Sequence, residues 1–309
     1  MLPTAEPTPT PAGDAPPRAT VIALHDRGQA GRLSRLATQA LLAEVELSPK
    51  PGLVDPVSCG AHDDMDAETF RASITAIAPW FPVLHETGRA GHRDAPSRFL
   101  QRLRRPGMGC EDAMFAATRG VNTHKGAVFA FGLLLGCAGR LAAGGLPVTA
   151  RSLTDLAARM ARPLVEVELP AVECPGTYGE AAFVEHRLAG ARGEAAGGYA
   201  SVRRHALPAY RAVLEATGDG RRAMLQALLV LMATTDDTTL VKDGSLDGLR
   251  HVQRSARDLL GAGGVRAPDA LTRLHRLDVD LTRRGLSPGG CADLLAVTHF
   301  LAHLPSGAD

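Results

Sequence analysis

The sequence predicts an all-α protein, and composition and periodicity both support this prediction. Hydrophobic residues make up 45% of the 309-residue chain, which is ample for a core, but only 4% of the residues are aromatic. The core must therefore be built mainly of Leu, Ala and Val, a composition that favours closely packed helices over sheet. Apolar residues recur at helical spacing along the chain, and only residues 165–169 alternate like a short strand.

The charge balance argues against two classes of partner. The 34 Lys and Arg residues nearly cancel the 33 Asp and Glu residues, and a chain without a basic excess is a poor candidate for binding nucleic acid or an anionic membrane. The five cysteines are scattered without a CxxC pair, so neither a disulfide framework nor a structural zinc site is indicated. The N-terminus lacks the pattern of a signal peptide, and every long apolar run is broken by a charge or a glycine. We therefore expect a cytoplasmic protein.

The chain divides into a tail and one all-helical domain. Residues 1–20 are rich in Pro, Thr and Ala without periodicity, which predicts a disordered tail, and residues 21–309 form the predicted domain. Its helices are expected at about 32–47, 111–118, 127–141, 202–216, 221–233, 246–260, 267–283 and 289–303, with another that begins at the N-cap Asp66. Residues 98–105 are predicted to be a short basic segment closed by Pro106, and the stretch after Pro163 is predicted to be rich in loops.

Glu44 is the first polar residue in an unexpected place. It falls in the middle of the apolar face of the first helix, whereas Glu46 points away from that face. Because burying a lone carboxylate is costly, Glu44 must pair with a cation, bind a metal, or act as an acid or base. A structural ion pair with a neighbouring helix is the alternative to a functional role.

The loop of residues 48–66 carries a lysine near its start and a group of aspartates at its end. Lys50 lies between two prolines, where the backbone has little freedom, and a rigidly presented lysine suits a phosphate; a solvated loop lysine is the alternative. Asp63 and Asp66 belong to a group of three aspartates within four residues, which would suit Mg²⁺ because this ion prefers oxygen ligands. The alternative is a helix cap by Asp66, with the other carboxylates solvated.

A second polar loop, Asn122-Thr-His-Lys-Gly126, immediately precedes an apolar helix. Backbone N–H groups at that helix start, with Lys125 beside them, would form an anion site. The sequence contains neither the P-loop nor the Rossmann signature, so a nucleotide site here would be of another kind. A capped loop with a surface lysine is the alternative.

Two further clusters lie in the C-terminal third. Asp236 and Asp237, flanked by four threonines, directly follow the apolar run 227–233, so these carboxylates begin at the mouth of the core. Adjacent carboxylates with hydroxyls suit Mg²⁺ and a bound polyphosphate, and an N-cap for the next element is the alternative. The segment Ser287-Pro-Gly-Gly-Cys-Ala-Asp293 opens the last helix and places Asp293 in an otherwise apolar helix start; here a Ser cap with Pro in the first turn is the alternative.

Together these clusters resemble the triphosphoribosyl-dephospho-coenzyme A synthases that serve citrate lyase and malonate decarboxylase. The matching stretches, in the family's order, are Glu44 with SPKPGLVD (48–55), GAHDDMD (60–66), GVNTHKGAVF (120–129), YGEAA (178–182), GARGEA (190–195), DDTT (236–239) and SPGGCADLLA (287–296). One such motif would be weak, but this many in order are specific. One departure is that Asp243 stands where the family tends to have a positive charge, with Lys242 as the candidate substitute.

The resemblance implies an all-α enzyme that converts ATP and 3′-dephospho-CoA to 2′-(5″-triphosphoribosyl)-3′-dephospho-CoA and adenine. It also implies a downstream holo-acyl-carrier-protein transferase that uses the product, and the malonate decarboxylase branch is favoured over the citrate lyase branch. A homodimer is a candidate assembly. A Mg²⁺-dependent all-α N-ribosyl hydrolase is the alternative function, and a non-catalytic helical interaction protein is the third.

The expected residue roles combine this resemblance with the chemistry of each cluster. Glu44 is the expected general base, with Asp63 and Glu194 as rivals. Mg²⁺ is the expected cofactor, with Asp236 and Asp237 as its ligands. The residues expected to bind the substrates and their phosphates are Lys50, Asn122, His124, Lys125, Gly126 and Arg192.

Overall fold

The computed structural model describes residues 28–241 and 245–305, which form 13 α-helices and contain no β-strand. The all-α prediction is therefore confirmed for the described residues. In chain order the helices are α1 (Gln29–Val45), α2 (Ala67–Ile77), α3 (Trp80–Ala90), α4 (Pro96–Ala117), α5 (Lys125–Ala143), α6 (Ala150–Pro163), α7 (Tyr178–His186), α8 (Gly190–Ala196), α9 (Leu207–Thr217), α10 (Gly220–Thr234), α11 (Asp247–Gly261), α12 (Ala270–Arg283) and α13 (Gly289–Ala302). The predicted tail of residues 1–20, Lys242 and Asp243 lie outside the described residues.

The strand candidate at residues 165–169 is wrong. Leu164–Glu168 forms one π-helical turn that continues α6, and the N–H of Leu169 donates to the carbonyl of Leu164. Leu164 and Leu169 are buried, whereas Val167 is exposed. The two buried residues are thus five apart, which is the hydrogen-bond spacing of a π-helix. The alternation of apolar residues in this short segment does not correspond to alternating burial.

The predicted break near Pro106 is also wrong. The basic segment and the short helix after it are parts of one helix, α4, which contains Pro106 in its interior. Leu103, Cys110 and Met114 are all buried at helical spacing on the two sides of the proline. Because one continuous apolar face packs on the core, the helix persists despite the hydrogen bond that proline removes. The stretch after Pro163 is likewise more helical than predicted, since it contains α7 and α8.

Helix α5 forms the centre of the core. It is long and apolar enough to cross a membrane, but 72% of its most apolar window is buried inside the protein, as expected of a core helix. A Cβ atom on Gly88 of α3 would lie 1.9 Å from the carbonyl oxygen of Gly136, and one on Gly139 would lie 1.9 Å from that of His85. Helices α3 and α5 therefore approach each other closely, and glycines on both helices allow this contact.

Backbone anchors bring the polar loops to one end of this core. The Asp66 cap is confirmed, because its carboxylate accepts a 2.8 Å hydrogen bond from the N–H of Thr69 at the start of α2. Asp278 of α12 accepts a 2.9 Å hydrogen bond from the N–H of Gly52, which holds the 48–66 loop. Gly52 has a φ of +73°, and a Cβ there would lie 2.2 Å from the carbonyl oxygen of Leu286. Only glycine fits both the backbone conformation and this contact.

The helix contact can be tested with two glycines. Gly139→Ala should lower the free energy of unfolding by about 1–3 kcal/mol, because its methyl group meets backbone that cannot move alone. Gly107→Ala is the control, since no atom lies within 4 Å of a Cβ built there. It should raise stability by about 0.5–1 kcal/mol through lower chain entropy in α4. Urea denaturation of both variants measures the difference, and equal shifts would contradict the close approach.

Candidate active site

Segments far apart in sequence meet where α5 and α13 begin. The backbone N–H of Gly289 donates to the hydroxyl of Thr239 at 3.0 Å, and His62 Nε2 lies 2.8 Å from Ser287 Oγ. A Cβ on Gly190 would lie 3.0 Å from the Thr238 side chain. The 48–66 loop, the start of α8, the Asp-Thr cluster and the start of α13 therefore form one polar surface.

Glu44 and Lys50 form a buried ion pair at the centre of this surface. Glu44 is 4% exposed and Lys50 is 2% exposed, and Lys50 Nζ donates a hydrogen bond to Glu44 Oε1. Burial raises the pKa of Glu44, and the charge and hydrogen bond of Lys50 partly offset this effect. Of the options for Glu44, the geometry provides a cation partner, and this partner comes from the following loop and not from a neighbouring helix.

Asp293 extends this cluster, although the sequence did not place it among the site residues. A Cβ on Gly126 would lie 2.0 Å from Asp293 Oδ2, and the N–H of Ala127 donates to the same carboxylate. Burial, followed by the charges of Glu44 and Asp237, raises the pKa of Asp293 well above its ordinary value. These surroundings favour the protonated form of Asp293. Its position in an apolar helix start was the available sequence signal.

His124 is buried at the same helix start. Its Nδ1 lies 2.8 Å from Ser73 Oγ, and the residue is 3% exposed. Burial, together with the nearby charge of Lys50, lowers the pKa of His124 to about 3. His124 is therefore neutral at physiological pH, and it contributes hydrogen bonding but no positive charge to the site.

The two aspartates of the Asp-Thr cluster have different surroundings. Asp237 is buried; its Oδ1 accepts from the N–H and hydroxyl of Thr239 at 3.0 and 2.6 Å, and its Oδ2 accepts from the N–H of Cys291 at 2.9 Å. Asp236 is exposed, and its Oδ1 is 3.5 Å from Gln253 Nε2. Asp237 thus joins two backbone segments, while the carboxylate of Asp236 faces outward.

Glu194 and Arg192 lie on α8 beside this cluster. Glu194 accepts hydrogen bonds from the hydroxyl and N–H of Ser201 at 2.6 and 3.3 Å. Burial raises the pKa of Glu194 against the effect of these bonds, and the charge of Asp236 raises it further. Arg192 pairs with Glu180 at 2.7 Å. The negative charges of Glu194 and Asp236 are therefore close enough to repel each other.

The remaining predicted residues lie nearer the surface. Lys125 Nζ is 3.3 Å from Glu111 Oε2, and the Asn122 side chain accepts a 3.2 Å hydrogen bond from the N–H of Lys125. Asp63 is exposed in the 48–66 loop. The structure thus gathers Glu44, Lys50, His124, Gly126, Asp237 and Asp293 in the buried cluster, Asp236 and Glu194 at its edge, and Asn122, Lys125, Arg192 and Asp63 farther out.

The side chains of this surface fit a metal ion only if a bound ligand supplies some of the oxygens that coordinate it. Within residues 28–241 and 245–305, no three His, Cys, Asp or Glu side chains are arranged to hold a metal ion. Both oxygens of Asp237 already accept hydrogen bonds. Mg²⁺ usually keeps several waters and needs only one or two carboxylates when a polyphosphate supplies the other oxygens. The outward carboxylate of Asp236, with Glu194 close by, fits that requirement.

Comparison with known proteins identifies the family. The chain matches the family described as ATP:dephospho-CoA triphosphoribosyl transferase over residues 30–309. The chain belongs to this family. It is 49% identical over 271 residues to the 2-(5″-triphosphoribosyl)-3′-dephosphocoenzyme-A synthase of Klebsiella pneumoniae, and the aligned region covers 87% of this chain and 90% of the relative. It is 48% identical over 280 residues to the probable 2-(5″-triphosphoribosyl)-3′-dephosphocoenzyme-A synthase of Salmonella gallinarum, and that aligned region covers 90% of this chain and 93% of the relative. No solved structure matches the chain.

Family membership confirms what the polar motifs predicted about the class of protein. The chain is a transferase of the triphosphoribosyl-dephospho-CoA synthase type, and nothing in the comparisons supports the hydrolase alternative. The matched region begins at residue 30, beyond the Pro-rich segment, and includes all the clusters described above.

The role of Glu44 can be tested against Glu46, which is exposed and pairs with Arg71 at 2.7 Å. Glu44→Gln should reduce turnover by about 100-fold, the range expected for loss of a general base. It should also lower the free energy of unfolding by about 3 kcal/mol, because the Lys50 cation stays buried without its charge partner. Glu46→Gln should change stability by no more than about 1 kcal/mol.

A double variant separates the two effects. Glu44→Gln/Lys50→Met removes both buried charges, so it should recover most of the lost stability without recovering turnover. Chemical denaturation and initial rates on the same preparations provide the comparison. If turnover returns together with stability, Glu44 has a structural role only.

Proposed function

We propose that this polar surface is where the enzyme transfers the triphosphoribosyl group of ATP to 3′-dephospho-CoA. One observation carries the assignment within the family: the carboxyl groups of Glu44, Asp237 and Asp293 lie close together at the start of α5, and Lys50 donates a hydrogen bond to Glu44. Burial raises the pKa of Glu44 and of Asp293, and the charges of Glu44 and Asp237 raise that of Asp293 further. The cluster therefore contains carboxyl groups suited to proton transfer beside a helix N-terminus that attracts anions.

The reaction requires a proton to leave one oxygen and to reach the departing base. The 2′-hydroxyl of dephospho-CoA attacks C1′ of the ATP ribose, the bond from C1′ to the adenine nitrogen breaks, and adenine leaves with that electron pair. The centre passes through an oxocarbenium-like state, as in other glycosyl substitutions. A base must accept the hydroxyl proton, and a donor must supply a proton or hydrogen bond to adenine.

Glu44 and Asp293 suit these two opposite tasks. Burial raises the pKa of Glu44, which strengthens it as a base, and the adjacent ammonium of Lys50 supports its charged form. The surroundings of Asp293 favour its protonated form, which an acid for the departing adenine needs. Pairs of carboxyl groups with different protonation states provide the acid and the base in many enzymes. Asp63, which is exposed, and Glu194, which is bonded to Ser201, remain the rival bases.

The anionic parts of the substrates would bind around the start of α5 and α8. The helix dipole favours an anion beside the N-terminus of α5. Lys125 and Arg192 are each paired with a carboxylate near the surface, so a triphosphate or diphosphate can replace that partner without uncovering a buried charge. Asn122 fixes the loop, and neutral His124 adds a hydrogen bond. Lys50 contributes its charge from beneath the site.

Mg²⁺ is proposed as the cofactor that accompanies the triphosphate. When bound, it would neutralise part of the phosphate charge. Of the two predicted ligands, Asp236 is the direct candidate because its carboxylate faces outward, and Glu194 is its neighbour. Asp237 would act by holding Cys291 and Thr239 in place behind it.

Replacement by asparagine should have different effects at Asp236 and at Asp237. Asp236→Asn should move the Mg²⁺ titration of activity to higher concentration, because an amide oxygen lacks the charge of a carboxylate, while the free energy of unfolding stays unchanged. Asp237→Asn should instead lower that free energy by about 1–3 kcal/mol, since its amide group cannot accept all of the buried donors. An unchanged Mg²⁺ titration in Asp236→Asn would exclude it as a ligand.

The wider setting follows from the product. We expect a downstream holo-acyl-carrier-protein transferase to move the product onto a carrier subunit, with the malonate decarboxylase branch favoured from the overall likeness of the motifs. A cytoplasmic location is proposed because the most apolar helix is largely buried in the core. A homodimer stays a candidate assembly.

The proposed reaction can be tested by measuring whether the release of adenine depends on the acceptor. Adenine should appear from ATP only when 3′-dephospho-CoA is present, with one adenine released for each CoA derivative formed. Bound acceptor fills the position that water would otherwise occupy, and its hydroxyl is the positioned nucleophile. Liquid chromatography of adenine and mass spectrometry of the CoA product provide the measurement.

Coenzyme A with its 3′-phosphate is the matched control acceptor. It should react poorly, because that phosphate crowds the neighbouring 2′-hydroxyl and adds negative charge beside the attacking oxygen. Full-rate release of adenine without any acceptor would instead identify a hydrolase and overturn the proposal.

A further inference from the structure

Two hydroxyl side chains behind the proposed site, which have no role in the chemistry described so far, are linked to His124. Ser73 of α2 is completely buried, and its Oγ lies 2.8 Å from His124 Nδ1. The hydroxyl of Thr123 donates to the same Ser73 Oγ at 2.8 Å. Two residues of the polar loop before α5 are thus tied to one buried serine of another helix.

The direction of these hydrogen bonds fixes where the histidine proton lies. Ser73 Oγ accepts from Thr123, and its own hydrogen must reach an acceptor because a buried unsatisfied hydroxyl is costly. Within the described residues, His124 Nδ1 is the acceptor in reach. An imidazole that accepts at Nδ1 carries its proton on Nε2 when it is neutral.

The other ring nitrogen of His124 is an unsatisfied donor. Nε2 is buried and has no hydrogen-bond partner in residues 28–241 and 245–305. The backbone N–H of His124 also donates a hydrogen bond to Met114 Sδ at 3.2 Å. The ring is therefore fixed in place, while one strong donor lacks an acceptor. Such a group is the exception in folded proteins and indicates a ligand that completes it.

We infer that Ser73, assisted by Thr123, positions His124 as a neutral Nε2–H donor to a phosphate oxygen of the bound substrate. Ser73 is then a positioning residue of the transferase. The inference rests on the proposed function, because a substrate phosphate is the acceptor. The acceptor is assigned to phosphate because His124 is the N-cap residue of α5, where the helix dipole favours an anion.

A ligand must gain access to this nitrogen. Phe70, which is partly exposed, packs edge-on against the His124 ring with 4.9 Å between the ring centroids. Phe70 is the candidate cover that turns aside when substrate binds. A neutral donor suits such a shielded position better than an imidazolium, since desolvating a cation would be far more costly.

The tautomer can be measured without any enzymatic turnover. Nitrogen-15 NMR of the full-length protein labelled at histidine distinguishes a protonated from an unprotonated ring nitrogen. In the unsubstituted protein, His124 should show a protonated Nε2 and an unprotonated Nδ1 from pH 5 to 8. Added inorganic triphosphate should shift the Nε2 resonance. In Ser73→Ala, Nδ1 loses its donor and the signals should move towards a mixture of the two tautomers.

Kinetics then separate positioning from general stability. Ser73→Ala should raise the KM for ATP by about 10-fold or more, the effect of losing one hydrogen bond to a charged acceptor, with a smaller change in kcat. Ser73→Thr keeps the hydroxyl and should restore the tautomer and most of the affinity. Ser34→Ala is the matched control: Ser34 is also a buried helical serine, but its hydroxyl donates to the carbonyl of Ala30 within α1.

The outcomes are distinct for the inference and for the proposed reaction. A proton on Nδ1 of His124, or a Ser73→Ala variant with unchanged signals and unchanged KM, overturns the inference even when transferase activity is present. An Nε2 resonance that ignores inorganic triphosphate excludes phosphate as the acceptor. If the protein shows the expected tautomer and the shift with triphosphate but no coupled release of adenine, the anion site is supported and the proposed reaction is contradicted.

Discussion

The buried pair of Glu44 and Lys50 is the constraint on which the rest of the site depends. Two charges removed from water must satisfy each other, and the loss of either leaves a costly buried ion. Lys50 can meet Glu44 because its loop turns back immediately after α1, with Asp55 accepting the Lys50 N–H and Asp278 holding Gly52. The loop that carries the cation is therefore as fixed as the helix that carries the carboxylate.

That pair in turn sets the state of its neighbours. The charge of Glu44 discourages ionisation of Asp293, and the charge of Lys50 discourages protonation of His124. Burial is the larger cause of both shifts, and together with this ion pair it favours a protonated carboxyl group and a neutral imidazole at the start of α5. Gly126 makes this arrangement possible, since a side chain there would occupy the position of the Asp293 carboxylate.

Local pattern was enough to predict the helices and most of the polar clusters, because amphipathic periodicity and capping residues act within a few turns. It failed where packing overrides local preference. Pro106 stays inside a helix because the apolar face continues on both sides, and residues 165–169 take a π turn because Leu164 and Leu169 need burial. Asp293 and Ser73 were missed as site residues because their partners, Gly126 and His124, are distant in sequence. Contacts of that kind depend on tertiary structure.

The excess of carboxylates over cations links nucleotide binding to the uptake of protons. A triphosphate bound at the proposed site would add negative charge beside Glu44 and Asp293, and this charge would favour the protonated forms of both carboxyl groups. Because linkage is reciprocal, the protonated form would then bind the nucleotide more tightly. Affinity for ATP at this site would consequently decrease as the pH rises through the range in which these two groups lose their protons, so substrate occupancy would depend on the acidity of the surroundings.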